Sequence, residues 1–259
     1  MTKQNTVHKL IAFQKDLSDI SLPEQLNDPF NYEPHPLCLT ASEQLHEHLK
    51  SQTEWKHNFG LDFGNEGVNL KAIGKMFGVL VVQTPEKELA FLSAFSGKLA
   101  NSNHHSYFVP PVYDSLVDNG FLNSGMKQLK VINDEVKELQ LAGCKANLQL
   151  LSLKEKRKSL SQSLQHQLFE SYKFLNCNGE IRSPYEIFGS NPPSGAGECA
   201  APKLLQYAYQ HNLKPISMAE FWWGSPPSSN TISRIHKHFY PACLSKCEGV
   251  LGWMLGVRD

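Results

Sequence analysis

Residues Asn191–Gly224 read NPPSGAGECAAPKLLQYAYQHNLKPISMAEFWWG. A Pro/Gly-rich loop delivers Glu198 and Cys199 to a helix start. The helix is followed by a short apolar strand that ends at Trp222, Trp223 and Gly224. Loop, helix and strand with polar groups at the loop–helix joint is a common way to build a site on an α/β scaffold. Glu220 interrupts the apolar run, and a buried acid needs a partner; Lys203 and Arg182 are the candidates. Ser194-Gly-Ala-Gly197 before a helix could cradle an anion, although neither a GxGxxG nor a Walker pattern is present. Trp222 and Trp223 alternate across the strand, so one faces inward and the other can stack on a base.

Working outward, Ala242–Leu255 has a helical period and carries Cys243 and Cys247 at i and i+4, on one face. Upstream, Gly74–Val82 and Leu89–Ser96 read as two strands joined by a turn containing Pro85. The loop after them, NSNHHSYFVPPVYD, contains His104 and His105. In an extended segment these adjacent rings point to opposite sides, so at most one faces a given site. Tyr172–Phe188 contains a second hairpin signal around Asn178–Gly179. Pro34 and Pro36 predict an extended turn, with a helix capped at Thr40 or Ser42 running to about Glu54. Residues 1–31 read as a loosely packed N-terminal arm and 32–259 as one α/β domain, interrupted by a helical insertion at 125–173.

In that insertion Leu129, Ile132, Val136, Leu139, Ala146, Leu150, Leu153, Leu160 and Leu164 fall on alternating three- and four-residue steps. The heptad pattern predicts either a straight coil about 70 Å long or, with a break near Ala142–Gly143, an antiparallel helical hairpin. Gly143 and Arg157 make the seam imperfect. Residues 125–173 hold 9 Lys/Arg against 5 Asp/Glu, whereas residues 1–71 hold 6 Lys against 10 Asp/Glu. The basic stretch Lys154, Lys156, Arg157 and Lys158 can follow a phosphate backbone or simply be a solvated helix face.

The chain has 259 residues with formal net charge +0, so overall charge indicates no partner. It contains no apolar run long enough for a membrane span, and the N-terminus is too polar for a signal peptide. The expectation is a cytoplasmic protein with reduced cysteines.

Cys199 and Cys243 both lie at expected helix starts, which favour thiolates. With Cys247 they could hold Zn²⁺ as three ligands of a tetrahedron. The zinc nucleobase deaminases follow this plan: a ligand at one helix start, two Cys at the next, and a Glu two residues after the first ligand. The element order, hairpin, helix, strand, helix, also fits. The expected fold class is therefore α+β, a deaminase-like mixed sheet with a long inserted helical coil or helical hairpin. Two departures argue against the activity. Pro241-Ala-Cys243-Leu-Ser-Lys-Cys247 has longer gaps than P-C-x-x-C, and the catalytic Glu position is Ala201. The alternative reading of these thiols is small buried core residues.

The runs GKMFGVLVV, FSGKLANSNHHSYFVPPVYD, PSGAGECAAPKLLQYAYQHNLKPISMAEFWWG and HFYPACLSKCEGVLGWMLG resemble the long N-terminal region of a subgroup of RluA-type pseudouridine synthases. The resemblance runs from about Tyr32 to Gly256. It implies a parent protein that isomerises uridine to pseudouridine in ribosomal or transfer RNA without a cofactor. The family's catalytic Arg-Leu-Asp segment does not occur here, so no catalytic residue is carried over, and the synthase domain is expected to follow this region. Three functions compete. The first is an accessory module positioning RNA or the catalytic domain, through Lys154, Lys156, Arg157, Lys158, Trp222 and Trp223. The second is a deaminase-like zinc domain with Cys199, Cys243 and Cys247 as ligands and a polar site of His104, His105, Glu198 and Glu220. The third is a coiled-coil structural module forming a homodimer.

Overall fold

The computed structural model describes residues 9–61, 74–118, 120–142, 148–189, 191–227 and 233–257. The β-branched runs form β2 (Lys75–Gln83) and β3 (Leu89–Phe95), paired antiparallel from Phe77↔Phe95 to Gln83↔Leu89. The last ten residues of the Asn191–Gly224 stretch before Gly224 form β6 (Lys214–Trp223), which lies on the other side of β2, again antiparallel. Two short strands complete the sheet. β1 (Ile11–Ala12) pairs with β3, and β7 (Phe239–Tyr240) pairs with β6, giving the order β1-β3-β2-β6-β7. Every described pairing is antiparallel. The expectation of α+β architecture is met, but a sheet of mixed strand direction is not seen among the described residues.

Both faces of the sheet are covered, which is why β2 reads as a nearly continuous apolar run. On one face Phe77, Val79, Val81, Phe221 and Trp223 pack under α1 (Pro36–Ser51) with Leu37, Ala41 and Leu45. A register row of Phe95, Phe77, Phe221 and Phe239 crosses four strands there, with ring centroids 6.5, 6.0 and 6.0 Å apart. On the other face Leu80, Val82, Leu92 and Met218 pack under α5 (Ala200–Gln210), beside α6 (Leu244–Met254).

α1 begins at Pro36, ahead of the Thr40 or Ser42 cap expected from sequence. Pro36 opens the helix, where its missing N–H costs nothing, and the His35 ring accepts from Leu37 N at 3.3 Å. The N-terminal arm is also not loose over its described part. Beyond the β1 pairing, the Asn27 side chain accepts from Met218 N (2.8 Å) and donates to Met218 O (3.0 Å), continuing the hydrogen bonding of β6.

The insertion is a hairpin of two helices, α2 (Phe121–Leu141) and α3 (Leu148–Ser171). Antiparallel packing sets Gly125 against Leu164 and Asn133 beside Arg157. Ile132, Val136 and Leu150 form its own small core, flanked by Leu139, Leu153 and Leu160. The heptad seam is thus used within one chain. Seam positions Gly143 and Ala146 lie outside the described residues. β4 (Phe174–Leu175) and β5 (Ile181–Arg182) form the hairpin expected around Asn178–Gly179, followed by α4 (Pro184–Phe188). Gly179 takes a positive φ of 83° at the turn, a region glycine enters freely.

Candidate functional site

The start of α5 is pressed onto the sheet because small residues meet there. In β2, Gly78 pairs with Ala94 on one side and Glu220 on the other. A Cβ at Gly78 would lie 2.9 Å from the Ala200 Cβ and 3.1 Å from Leu204 Cδ1. Glycine here and alanine at 200 and 201 let the helix N-terminus approach the strand.

That approach brings Glu220 to the helix start. Cys199 is the N-cap residue but its side chain caps nothing; instead Glu220 Oε1 accepts from Ala201 N at 3.2 Å. A carboxylate from β6 thus satisfies a helix N–H that would otherwise have no partner and faces the positive end of the helix dipole. Glu220 is only 5% exposed. Burial pushes its carboxyl from 4.5 up to about 7, against the Ala201 N–H, Arg234 and the Ala200 N–H, which favour the anion. The partners expected from sequence, Lys203 and Arg182, are engaged elsewhere. Arg182 lies over the Trp253 ring at 5.5 Å.

Lys203 serves Glu198 instead. Its Nζ donates to Phe95 O (3.0 Å) and Gly97 O (2.9 Å) and stands 4.0 Å from Glu198 Oε2. Tyr172 OH donates to Glu198 Oε1, and the Glu198 carbonyl accepts from Gly97 N at 2.7 Å. Burial raises the Glu198 carboxyl above its usual range, with Lys203 opposing. Lys75 donates to Ser96 O at 3.0 Å, and burial followed by Lys203 and Lys98 lowers its ammonium to about 8. Two lysines thus bind three consecutive carbonyls at the end of β3.

The two histidines part as expected. His104 is exposed and pairs with Asp114 Oδ2 at 2.8 Å, while Asn103 Nδ2 meets Asp114 Oδ1 at 3.1 Å. His105 is buried on the α1 side, its Nε2 2.9 Å from Leu99 O, among Trp55, Phe95 and Phe108. It is not part of the site at α5.

Cys247, in the first turn of α6, is fully buried; Cys199 is half-buried and packs against the same core cluster. The neighbouring Cys199 side chain and then burial raise the Cys247 thiol above its usual range. Cys243, the N-cap of α6, is exposed, with its Sγ 3.1 Å from Ser245 Oγ. Some burial works against it, but the Ser245 hydroxyl and the Lys246 and Ser245 N–H groups hold its thiol below the usual range. Among the described residues no three His, Cys, Asp or Glu side chains gather closely enough to hold a metal ion. Cys199 and Cys247 belong to the same core cluster, whereas Cys243 lies at the surface.

Trp223 requires a correction. It is fully buried, stacked on His46 at 5.0 Å and tilted against His236 at 4.5 Å, so it offers no face to a base. Trp222 is half-buried, and its Nε1 donates to Ser225 O at 3.0 Å. Lys156, Arg157 and Lys158 are exposed on α3 and Lys154 is half-buried. Tyr172, Asp114, Lys75 and Tyr32 do not stand out in the sequence as site residues. Tyr32 OH accepts from Glu220 N (2.8 Å) and donates to Tyr240 O (3.1 Å), bracing the strand that carries Glu220. Among the described residues no helix is long and apolar enough to cross a membrane. Comparison with family models, curated proteins and solved structures returned no match.

Proposed function

We propose that this chain is the N-terminal accessory module of a pseudouridine synthase of the RluA type, and that it positions RNA. The observation that carries the reading is the helical hairpin. α2 and α3 satisfy their apolar seam against each other, and α3 presents Lys156, Arg157 and Lys158 to solvent in succession, with Lys154 one turn before Lys158. An extended pair of helices with an exposed basic turn suits phosphate contacts, which position a nucleic acid without reading its sequence. The long runs that resemble that synthase subgroup support the parent activity; the chain contains no Arg-Leu-Asp segment to perform it.

The core supports a second element of the reading, descent from a deaminase-like domain. Hairpin β2–β3, α5, β6 and α6 follow in that order, with Cys199 and Cys243 as the two N-caps. At the position of the catalytic glutamate stands Ala201, its N–H given to Glu220. On this reading the chemistry belongs to the following synthase domain and the module contributes binding.

Titration of the protein against a structured ribosomal RNA fragment at increasing salt tests the proposal. Affinity should fall steeply with salt. Replacing Lys154, Lys156, Arg157 and Lys158 by Ala should weaken binding and reduce the log–log salt slope by about one for each phosphate no longer neutralised. Absence of binding at low salt rejects the RNA role.

A further inference from the structure

Lys154, Lys156, Arg157 and Lys158 are close in sequence but do not share a face of α3. At about 100° per residue, Lys154 and Lys158 lie together one turn apart, whereas Lys156 falls about 160° from Lys158. The hairpin gives these two sides different neighbours. A groove of 420 Å³ runs between the helices, lined by Leu129 and Asn133 of α2 and by Arg157, Lys158, Ser161 and Gln162 of α3. Leu129 apart, these side chains all form hydrogen bonds, and none is a carboxylate. Arg157 Nη1 donates to Asn133 Oδ1 at 3.4 Å, which holds the guanidinium across the groove. On α2, Lys130 and Lys137 are exposed at i−3 and i+4 from Asn133, one turn to either side of it. Because Asn133 is level with Arg157 and the helices are antiparallel, Lys137 comes level with Lys154. Cations thus climb one side of the arm at three levels: Lys130, then Arg157 with Lys158, then Lys137 with Lys154. The climb spans about 10 Å. Glu135 and Glu138, at i+2 and i+5 from Asn133, turn away from the groove. Asp134 and Glu155 border it. Asp134 Oδ1 stands 4.0 Å from Lys137 Nζ, an exposed pair of little strength.

We propose that RNA lies along this one side of the arm, with a short run of backbone phosphates on Lys130, Lys137, Lys154, Arg157 and Lys158, and that Lys156 takes no part. The inference rests on the RNA reading above and gives it a face. Charge complementarity selects the face: its five cations are bordered by Asp134 and Glu155 alone, whereas Lys156 shares its side with Glu135. Ser161 and Gln162 add neutral hydrogen-bonding groups beside Arg157 and Lys158, suited to a phosphate oxygen or to the 2′-hydroxyl that distinguishes RNA from DNA. α2 therefore belongs to the interface as much as α3 does.

The full chain is titrated with the same structured ribosomal RNA fragment over a salt series, as wild type and as three variants: Lys130→Ala with Lys137→Ala, Lys158→Ala, and Lys156→Ala. All four positions are exposed on helices, where alanine keeps the helix, and far-UV circular dichroism checks that it does. The α2 pair should weaken binding and lower the log–log salt slope by about two, and Lys158→Ala should lower it by about one. Lys156→Ala should change neither affinity nor slope. If wild type binds but the α2 pair leaves the slope unchanged, or Lys156→Ala lowers it as much as Lys158→Ala does, the assignment of this face is overturned while the RNA reading stands. If wild type fails to bind at low salt, the RNA reading itself falls and the face with it.

Discussion

Glu220 carries the clearest single-residue consequence. Its carboxyl is buried against the α5 N-terminus, with Arg234 as the cation acting on it, while its backbone N–H donates to Tyr32 OH. A folded value of about 7 against 4.5 for the free group means that the folded state holds the proton more tightly. The sign follows from linkage: stability is greatest below about pH 4.5, falls as pH rises, and levels off above about pH 7. The upper size of the effect is about 3 kcal/mol. Glu220→Gln keeps an oxygen for the Ala201 N–H and removes the charge. Its urea midpoint should therefore match wild type near pH 5 and exceed it near pH 8. Equal pH dependence in both proteins would show that Glu220 does not titrate in this range.

Between elements, the contact that matters most is α5 on β2. It is made at Gly78, where any side chain meets Ala200 and Leu204. Gly78→Val suits a strand intrinsically but would push α5 off the sheet, displacing Ala201 from Glu220 and Lys203 from the carbonyls of Phe95 and Gly97. Overpacking of this kind costs about 1–3 kcal/mol, read as a lower urea midpoint. An unchanged midpoint in the valine variant would mean that the helix start is free to move. The helical hairpin obeys a different logic. Its core of Ile132, Val136 and Leu150 shares no residue with the clusters on the two sheet faces, so its stability is local.

The whole molecule is thus a two-faced antiparallel sheet with a helical arm, and the arm is separable in principle. Replacing residues 128–161 by a short Gly/Ser linker keeps the Gly125–Leu164 contact that closes the base of the hairpin. The shortened protein should retain its near-UV circular dichroism and cooperative unfolding while its RNA affinity falls. Retained affinity would move the RNA contacts to the sheet domain; loss of cooperative unfolding would make the arm part of the main core.

The sequence by itself determined most of the elements: the β2–β3 hairpin, the helix beginning after Cys199, β6, the helix with Cys243 and Cys247, and the turn at Gly179. These follow from short-range chemistry, namely β-branched runs, caps and glycine at positive φ, which the chain states locally. It also determined that His104 and His105 face opposite ways, since alternation is a property of extended backbone. Tertiary structure alone decided the partners. Glu220 turned to a backbone N–H instead of Lys203 because Gly78 brings the helix start within reach. Trp223 entered the core because β6 is covered on both faces. α2 and α3 folded back on each other because apolar seams of one chain meet at high effective concentration. Cys199 and Cys247 joined one core cluster while Cys243 stayed at the surface because helix packing, not spacing along the chain, sets which sulfurs are buried.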